Sequence, residues 1–259
     1  MRMMKKVLGT VTVLALSVSL LAGCGSTAVS PVSSTASTAA ESTTSSVVSE
    51  TTSAAADENA AAAAQLLNDL TGSYQELWPV ILADEYQQTW LDDCTALVGE
   101  ENAEAAFEKL SSMVTSDVYG EDAVEAYANG GGAYFCGFTN SLAILTFDGE
   151  TSTISGTDKD GNVLFSHTYH YIGMEPVRGL YEFQSDDADS GEFTYFFLAP
   201  DTSAETYHIE FRYGSDAEAL SQYDTGEYAY WLASGISTDC DQTMIDNCIE
   251  LFCTENLAG

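Results

Sequence analysis

Between Ala133 and Tyr213 the chain runs in short stretches of alternating apolar and polar residues, separated by clusters of turn residues. A period of two sends successive side chains to opposite faces, so each stretch can bury one face as a β-strand. The stretches are Ala133–Phe138, Leu142–Phe147, Thr151–Thr157, Val163–Ile172, Gly179–Gln184, Phe193–Ala199 and Thr206–Tyr213. Between them stand Asp148-Gly149, Asp158-Lys159-Asp160-Gly161-Asn162 and Asp186-Asp187-Ala188-Asp189-Ser190-Gly191. This is the chemistry of hairpin turns. Serial strands joined by hairpins make an antiparallel meander, and closing it into a small barrel removes its bare edges. The fold expected is therefore mainly β with flanking helices (α+β), an antiparallel barrel.

The flanks read as helices. From Ser73 to about Leu97, Tyr74, Leu77, Trp78, Ile81 and Leu82 form one apolar stripe, joined later by Tyr86 and Trp90. Pro79 predicts a break near Trp78. Asn102 to Val114 repeats the pattern with Ala106, Phe107, Leu110 and Val114, and Glu121 to Ala128 forms a short third helix before Gly130-Gly131-Gly132. At the far end, Asp239 with Gln242 three residues on suggests a capped helix. Its buried face would hold Met244, Ile245, Cys248, Ile249 and Phe252.

The first residues set the expected compartment. Arg2, Lys5 and Lys6 precede an uncharged stretch from Val7 to Gly23. A basic head, a short apolar run and small residues before a cut mark a signal peptide over 1–23. The run is shorter than the roughly 20 residues of a membrane span. Its ending, Leu21-Ala22-Gly23-Cys24, resembles the lipobox of bacterial lipoproteins. That resemblance implies a lipid on Cys24 and an extracytoplasmic domain anchored to the membrane, at the cell surface or the periplasmic face. Residues 24–64 are nearly all Ser, Thr, Ala and Val, without an aromatic residue. Such a segment buries too little surface to offset its ordering entropy, and it reads as a flexible tether. Its Ala-rich end, Ala60 to Ala64, also fits the start of a helix. Residues 65–259 then form one domain.

Cleavage removes three of the seven Lys and Arg and none of the 40 acids, leaving Lys109, Lys159, Arg178 and Arg212 and a charge of −36. Nucleic acid and anionic lipid surfaces would repel such a chain, whereas cations would gather at it. Five cysteines follow Cys24: Cys94, Cys136, Cys240, Cys248 and Cys253. An exported domain can hold disulfides, but an odd number leaves at least one thiol over.

Four stretches in order resemble the ZinT family of exported zinc-binding proteins. They are Leu70-Thr71-Gly72-Ser73-Tyr74-Gln75-Glu76-Leu77-Trp78-Pro79, Tyr169-His170-Tyr171-Ile172-Gly173 with Val177-Arg178-Gly179-Leu180-Tyr181, Leu198-Ala199-Pro200, and His208-Ile209-Glu210-Phe211-Arg212-Tyr213-Gly214. The resemblance implies a lipocalin-like (calycin) barrel with packed helices, zinc as the metal, and a metal ABC transporter as a partner. The family's three His ligands are only partly kept. Phe196 stands at the first ligand position and cannot bind a metal. Aligned on Gly214, the other two positions become His208 and Glu210; aligned on Pro200 with an insertion, they become Thr206 and His208.

His208 and Glu210 are two apart on a strand and share a face. Zinc accepts both imidazole nitrogen and carboxylate oxygen. A third ligand must come from elsewhere, and His170, nearby acids and Tyr side chains are candidates. Arg212 shares the same face and offers a metal-free alternative, an internal Glu210–Arg212 or His208–Glu210 hydrogen-bonded pair. His167 and His170 are three apart and point to opposite faces. Asp158-x-Asp160-Gly161-Asn162 resembles the start of a calcium loop, but a hairpin turn accounts for the same residues, and Tyr169 occupies the position where the loop needs Glu. No nucleophile, phosphate-loop or metalloprotease signature is present, so a binding protein is expected, not an enzyme. Two readings follow. One is a ZinT-like scavenger or donor of a divalent metal ion for an uptake system. The other is a metal-free relative that binds a small ligand or a protein, with Tyr195, Phe196, Phe197 and Tyr207 lining a cavity.

Overall fold

The computed structural model describes residues 58–128, 132–200 and 208–258. Cys24, the leader and most of the tether lie outside them. A first helix, α1, covers 58–69. Then come β1 (Gly72–Glu76), α2 (Leu77–Ile81), α3 (Gln87–Val98), α4 (Glu100–Ser112) and α5 (Glu121–Ala128). The strands β2 (Ile144–Asp148), β3 (Thr153–Thr157), β4 (Val163–Met174), β5 (Tyr181–Ser185), β6 (Tyr195–Leu198) and β7 (His208–Gly214) follow. The chain ends with α6 (Ala217–Leu220), β8 (Ala233–Ser237) and α7 (Gln242–Leu257). The eight strands form a closed barrel in sequence order. All neighbours are antiparallel, and β1 closes the ring against β8 through Tyr74↔Ser237 and Glu76↔Gly235.

Eight strands enclose a space that side chains can fill, and here aromatic rings fill it. Phe196 of β6 meets Phe165 and Tyr169 of β4 at 5.8 and 5.4 Å between ring centroids. Those strands are not neighbours in the sheet, so the contacts cross the interior. Tyr213 and Phe211 of β7 complete the group. The Tyr213 hydroxyl donates to Thr139 O at 2.9 Å, so the ring carries no stranded polar group.

A second core lies outside the barrel. Leu77 and Ile81 of α2, Trp90 and Cys94 of α3, Leu110 of α4 and Ile245, Cys248, Ile249 and Cys253 of α7 pack together with Ile236 of β8. Trp90 is fully buried, and its indole N–H donates to Ile81 O at 2.7 Å. Burying one such large side chain contributes roughly 1.5–3 kcal/mol.

The elements depart from the sequence reading in four places. Residues 73–76 are a strand, not the start of a helix. The apolar stripe from Tyr74 to Ile81 runs through a strand–helix junction, with Tyr74 in the barrel core and Leu77 and Ile81 in the helix layer. Residues 133–138 form no strand, only isolated bridges from Phe135 to Thr115 and Trp231. This segment is tied to the barrel by Glu76, which accepts from Phe138 N at 2.6 Å, and by Trp231, which donates to Gly137 O at 2.9 Å. β8 is a strand with no alternation, because it is buried on both faces and its residues are small. The cap of α7 is Asp241, whose side chain accepts from Met244 N at 3.0 Å, rather than Asp239. α1 contains residues 58–64, a helix start that the Ala-rich run Ala60 to Ala64 also fitted, and Ala63 is fully buried in the barrel core. Gly149 allows α1 to approach the β2–β3 turn, since a Cβ there would lie 2.4 Å from Asn68 Cα.

Candidate metal site

β7 sorts its residues by parity. Ile209, Phe211 and Tyr213 belong to the barrel core. His208 and Glu210 point the other way, opposite Ile236 and Ser234 of β8. They open into a cleft of about 40 Å³ between the barrel wall and the helix layer. Its other walls are Leu77, Trp78 and Ile81 of α2 and Cys248, Leu251, Phe252 and Glu255 of α7. Such a volume takes an ion or a water molecule, well short of the roughly 300 Å³ of an organic-ligand pocket.

The donor set is an imidazole, two carboxylates and a thiol, all groups that zinc accepts. The thiol is the weakest of them, because burial and then Cys240 push Cys248 up to about 12. Glu210 also acts beneath the helices. Burial, then the Glu210 charge, push the Cys136 thiol up to about 12. Among the described residues no three His, Cys, Asp or Glu side chains stand close enough together to hold a metal ion. His208, Glu210 and Glu255 line the same cleft without forming such a group.

Arg212 shares the face but not the cleft. Its guanidinium donates to the carbonyls of Leu220, Gln222 and Tyr228 and stacks 4.3 Å from the Tyr223 ring. The pairing with Glu210 considered from sequence is thus replaced by main-chain anchoring of residues 220–228.

His170 does not join His208. It pairs in register with Gln184, which pairs with Tyr195, which pairs with Gly214. It is therefore three strands from β7, roughly 14 Å away laterally, and level with the opposite end of that strand. Its Nδ1 lies 2.6 Å from Asp186 Oδ1. His167, on the other face, lies 2.6 Å from Asp187 Oδ2. Phe196 is fully buried in the ring-filled interior. Positions 196, 208 and 210 thus lie on both sides of the sheet and cannot converge on one ion. Thr206 and Tyr207 lie outside the described residues. Phe197, like Phe196, is fully buried. The Asp158 segment is a hairpin turn, in which Asp158 Oδ1 accepts from Asp160 N and Asn162 N and Gly161 takes a φ of 82°. These bonds, first those from Asn162, hold the exposed Asp158 carboxyl below its ordinary range.

Sequence reasoning did not single out Glu255. Cys248, Leu251, Phe252 and Glu255 follow helical spacing and share a face. That signal could group them, but it could not say that the face meets β7.

No family model matches the chain, and no curated protein matches it. Among solved structures it is similar to the Zn(II)-bound ZinT-like domain of Streptococcus pneumoniae AdcA, at 16% identity and a TM-score of 0.45, over 71% of this chain and 89% of that one. It is also similar to Zn(II)-bound AdcA from Streptococcus pneumoniae, at 14% identity and a TM-score of 0.42. That match covers 72% of this chain and 35% of the other. No helix among the described residues is long and apolar enough to cross a membrane.

Proposed function

We propose that this chain is a membrane-tethered domain that binds a divalent cation, zinc before others, in the cleft between β7, α2 and α7. One observation carries the reading: His208 and Glu210 share a face and open, with Glu255, into a space the size of an ion. Zinc takes three protein ligands of this type and leaves a position for water or an exchange partner. Such a site suits a carrier that must release its cargo. Once the leader is removed, a charge of −36 (4 minus 40) would draw cations toward the domain. A lipid on Cys24 and the tether behind it would keep the domain near an uptake transporter, as a scavenger or donor.

Calorimetric titration of the chain from Gly25 onward with zinc tests this. His208→Ala should weaken binding at least tenfold, and Glu255→Gln should weaken it less. Identical heats for the unaltered chain and His208→Ala would overturn the assignment. Radiolabelled fatty acid incorporated by the full-length chain but not by Cys24→Ser would support the anchor.

A further inference from the structure

The helix layer brings two thiols together that no metal reading uses. Cys94 of α3 and Cys253 of α7 stand with their Sγ atoms 3.9 Å apart. Both are fully buried. Cys253 and Cys248 lie five residues apart on α7, so they point about 140° away from each other. One turns toward α3 while the other lines the cleft at β7. Cys136 lies elsewhere, near Glu210 and outside every helix and strand, and Cys240 precedes α7.

We infer that Cys94 and Cys253 form a disulfide that staples α3 to α7. The bond needs the sulfurs at about 2.05 Å, and small rotations of the two side chains can supply the remaining approach. The step is thiol–disulfide exchange with an oxidant of the disulfide class, either oxidised glutathione or a dithiol oxidase of the export pathway. One cysteine thiolate attacks the oxidant and forms a mixed disulfide. The second thiolate then displaces the oxidant sulfur. The S–S bond of the oxidant breaks, the Cys94–Cys253 bond forms, and two electrons and two protons leave with the reduced oxidant. Burial holds both thiols above their ordinary range. Thiolate is therefore scarce once α7 has docked, and exchange must occur while the helix layer is still forming. The staple joins residues 159 apart in sequence, a long loop whose closure restricts the unfolded chain strongly.

The pairing depends on the exported reading only for its natural oxidant, and a refolding experiment removes that dependence. The denatured, reduced chain is refolded in a glutathione redox buffer and its remaining thiols are alkylated in denaturant without reductant. It is then cut with a protease specific for acidic residues, since Lys and Arg are too few for trypsin. Mass spectrometry should find a peptide pair linking Cys94 to Cys253. Reduction should raise the unfolded-to-folded ratio roughly a hundred- to a thousand-fold. Cys94→Ala, Cys253→Ala and the double variant should match one another in that assay. Alkylated Cys94 and Cys253, or a link to another cysteine, would overturn the inference. A chain that pairs in glutathione yet takes no lipid on Cys24 would overturn the tether and leave the disulfide standing.

Discussion

The inner and outer faces of β7 differ in chemistry, although they come from the same seven residues. The inner face presents Ile209, Phe211 and Tyr213 to a packed aromatic core. The outer face presents His208 and Glu210 to a cleft and Arg212 to three carbonyls. The contrast teaches that apolar rings fill the barrel interior, while the polar residues of β7 face the seam between barrel and helices. In a barrel with an open interior, a ligand could enter the middle. In this one aromatic rings fill the interior, and a cleft of ion size beside β7 lies on the outside of the wall.

The sharpest way to break this comparison is to open the inner face. Phe211→Ala should cost about 3–5 kcal/mol, because it removes a fully buried ring and leaves a cavity. His208→Ala, on the half-exposed outer face, should cost less than about 1 kcal/mol. Both are read from urea unfolding curves, and equal losses would erase the distinction. Phe196→His comes next. It buries an imidazole among rings and should cost about 2–4 kcal/mol. Because position 196 faces away from His208, it should add nothing to zinc binding in calorimetry. A gain in affinity would mean that the two faces communicate through one ion. Arg212→Lys should cost about 1–3 kcal/mol, since one ammonium cannot serve three separated carbonyls as the planar guanidinium does. The loss should appear as faster amide exchange over residues 220–228.

The smallest effect concerns pH and sets the helix layer against the frame. Burial, then Glu250, Asp246 and Asp92, raise the Asp93 carboxyl above its ordinary range. Burial, then Glu175, raise Glu182. A carboxyl with a raised folded-state pKa binds its proton more tightly when folded. Its contribution is complete below the unfolded value and is lost as pH rises through the folded value. Stability should therefore increase as pH falls from 7 toward the ordinary carboxylate range near 4. Asp93→Asn should flatten that slope slightly in urea midpoints taken at constant ionic strength. An unchanged slope would place the acid strain elsewhere.

Much of the barrel was legible in the sequence because hairpin turns and period-two alternation are local signals. Six of the expected strands, from Leu142 to Tyr213, correspond to β2 through β7. β1 and β8 were hidden for different reasons. Tyr74 and Ile81 sit at helical spacing across a strand–helix junction, and Ala-Ser-Gly-Ile-Ser is buried on both faces, so neither shows an alternating pattern. At the site, parity alone put His208, Glu210 and Arg212 on one face. Whether that face looked inward or outward depends on which side the helices cover, and a strand carries no mark of that. His170 failed to join them because distance between strands is set by register, which accumulates over the whole meander.

Ring closure by β1 and β8 has a consequence in time. Tyr74 finds its partner at Ser237 only after almost every other described element exists. A chain emerging amino-terminus first must carry β1 with a bare edge until β8 arrives, and such edges template association between copies. Closing a loop this long costs entropy before its contacts repay it, which slows the last step of barrel formation. During that interval the dense negative charge of the chain has a second use: it keeps half-built copies apart.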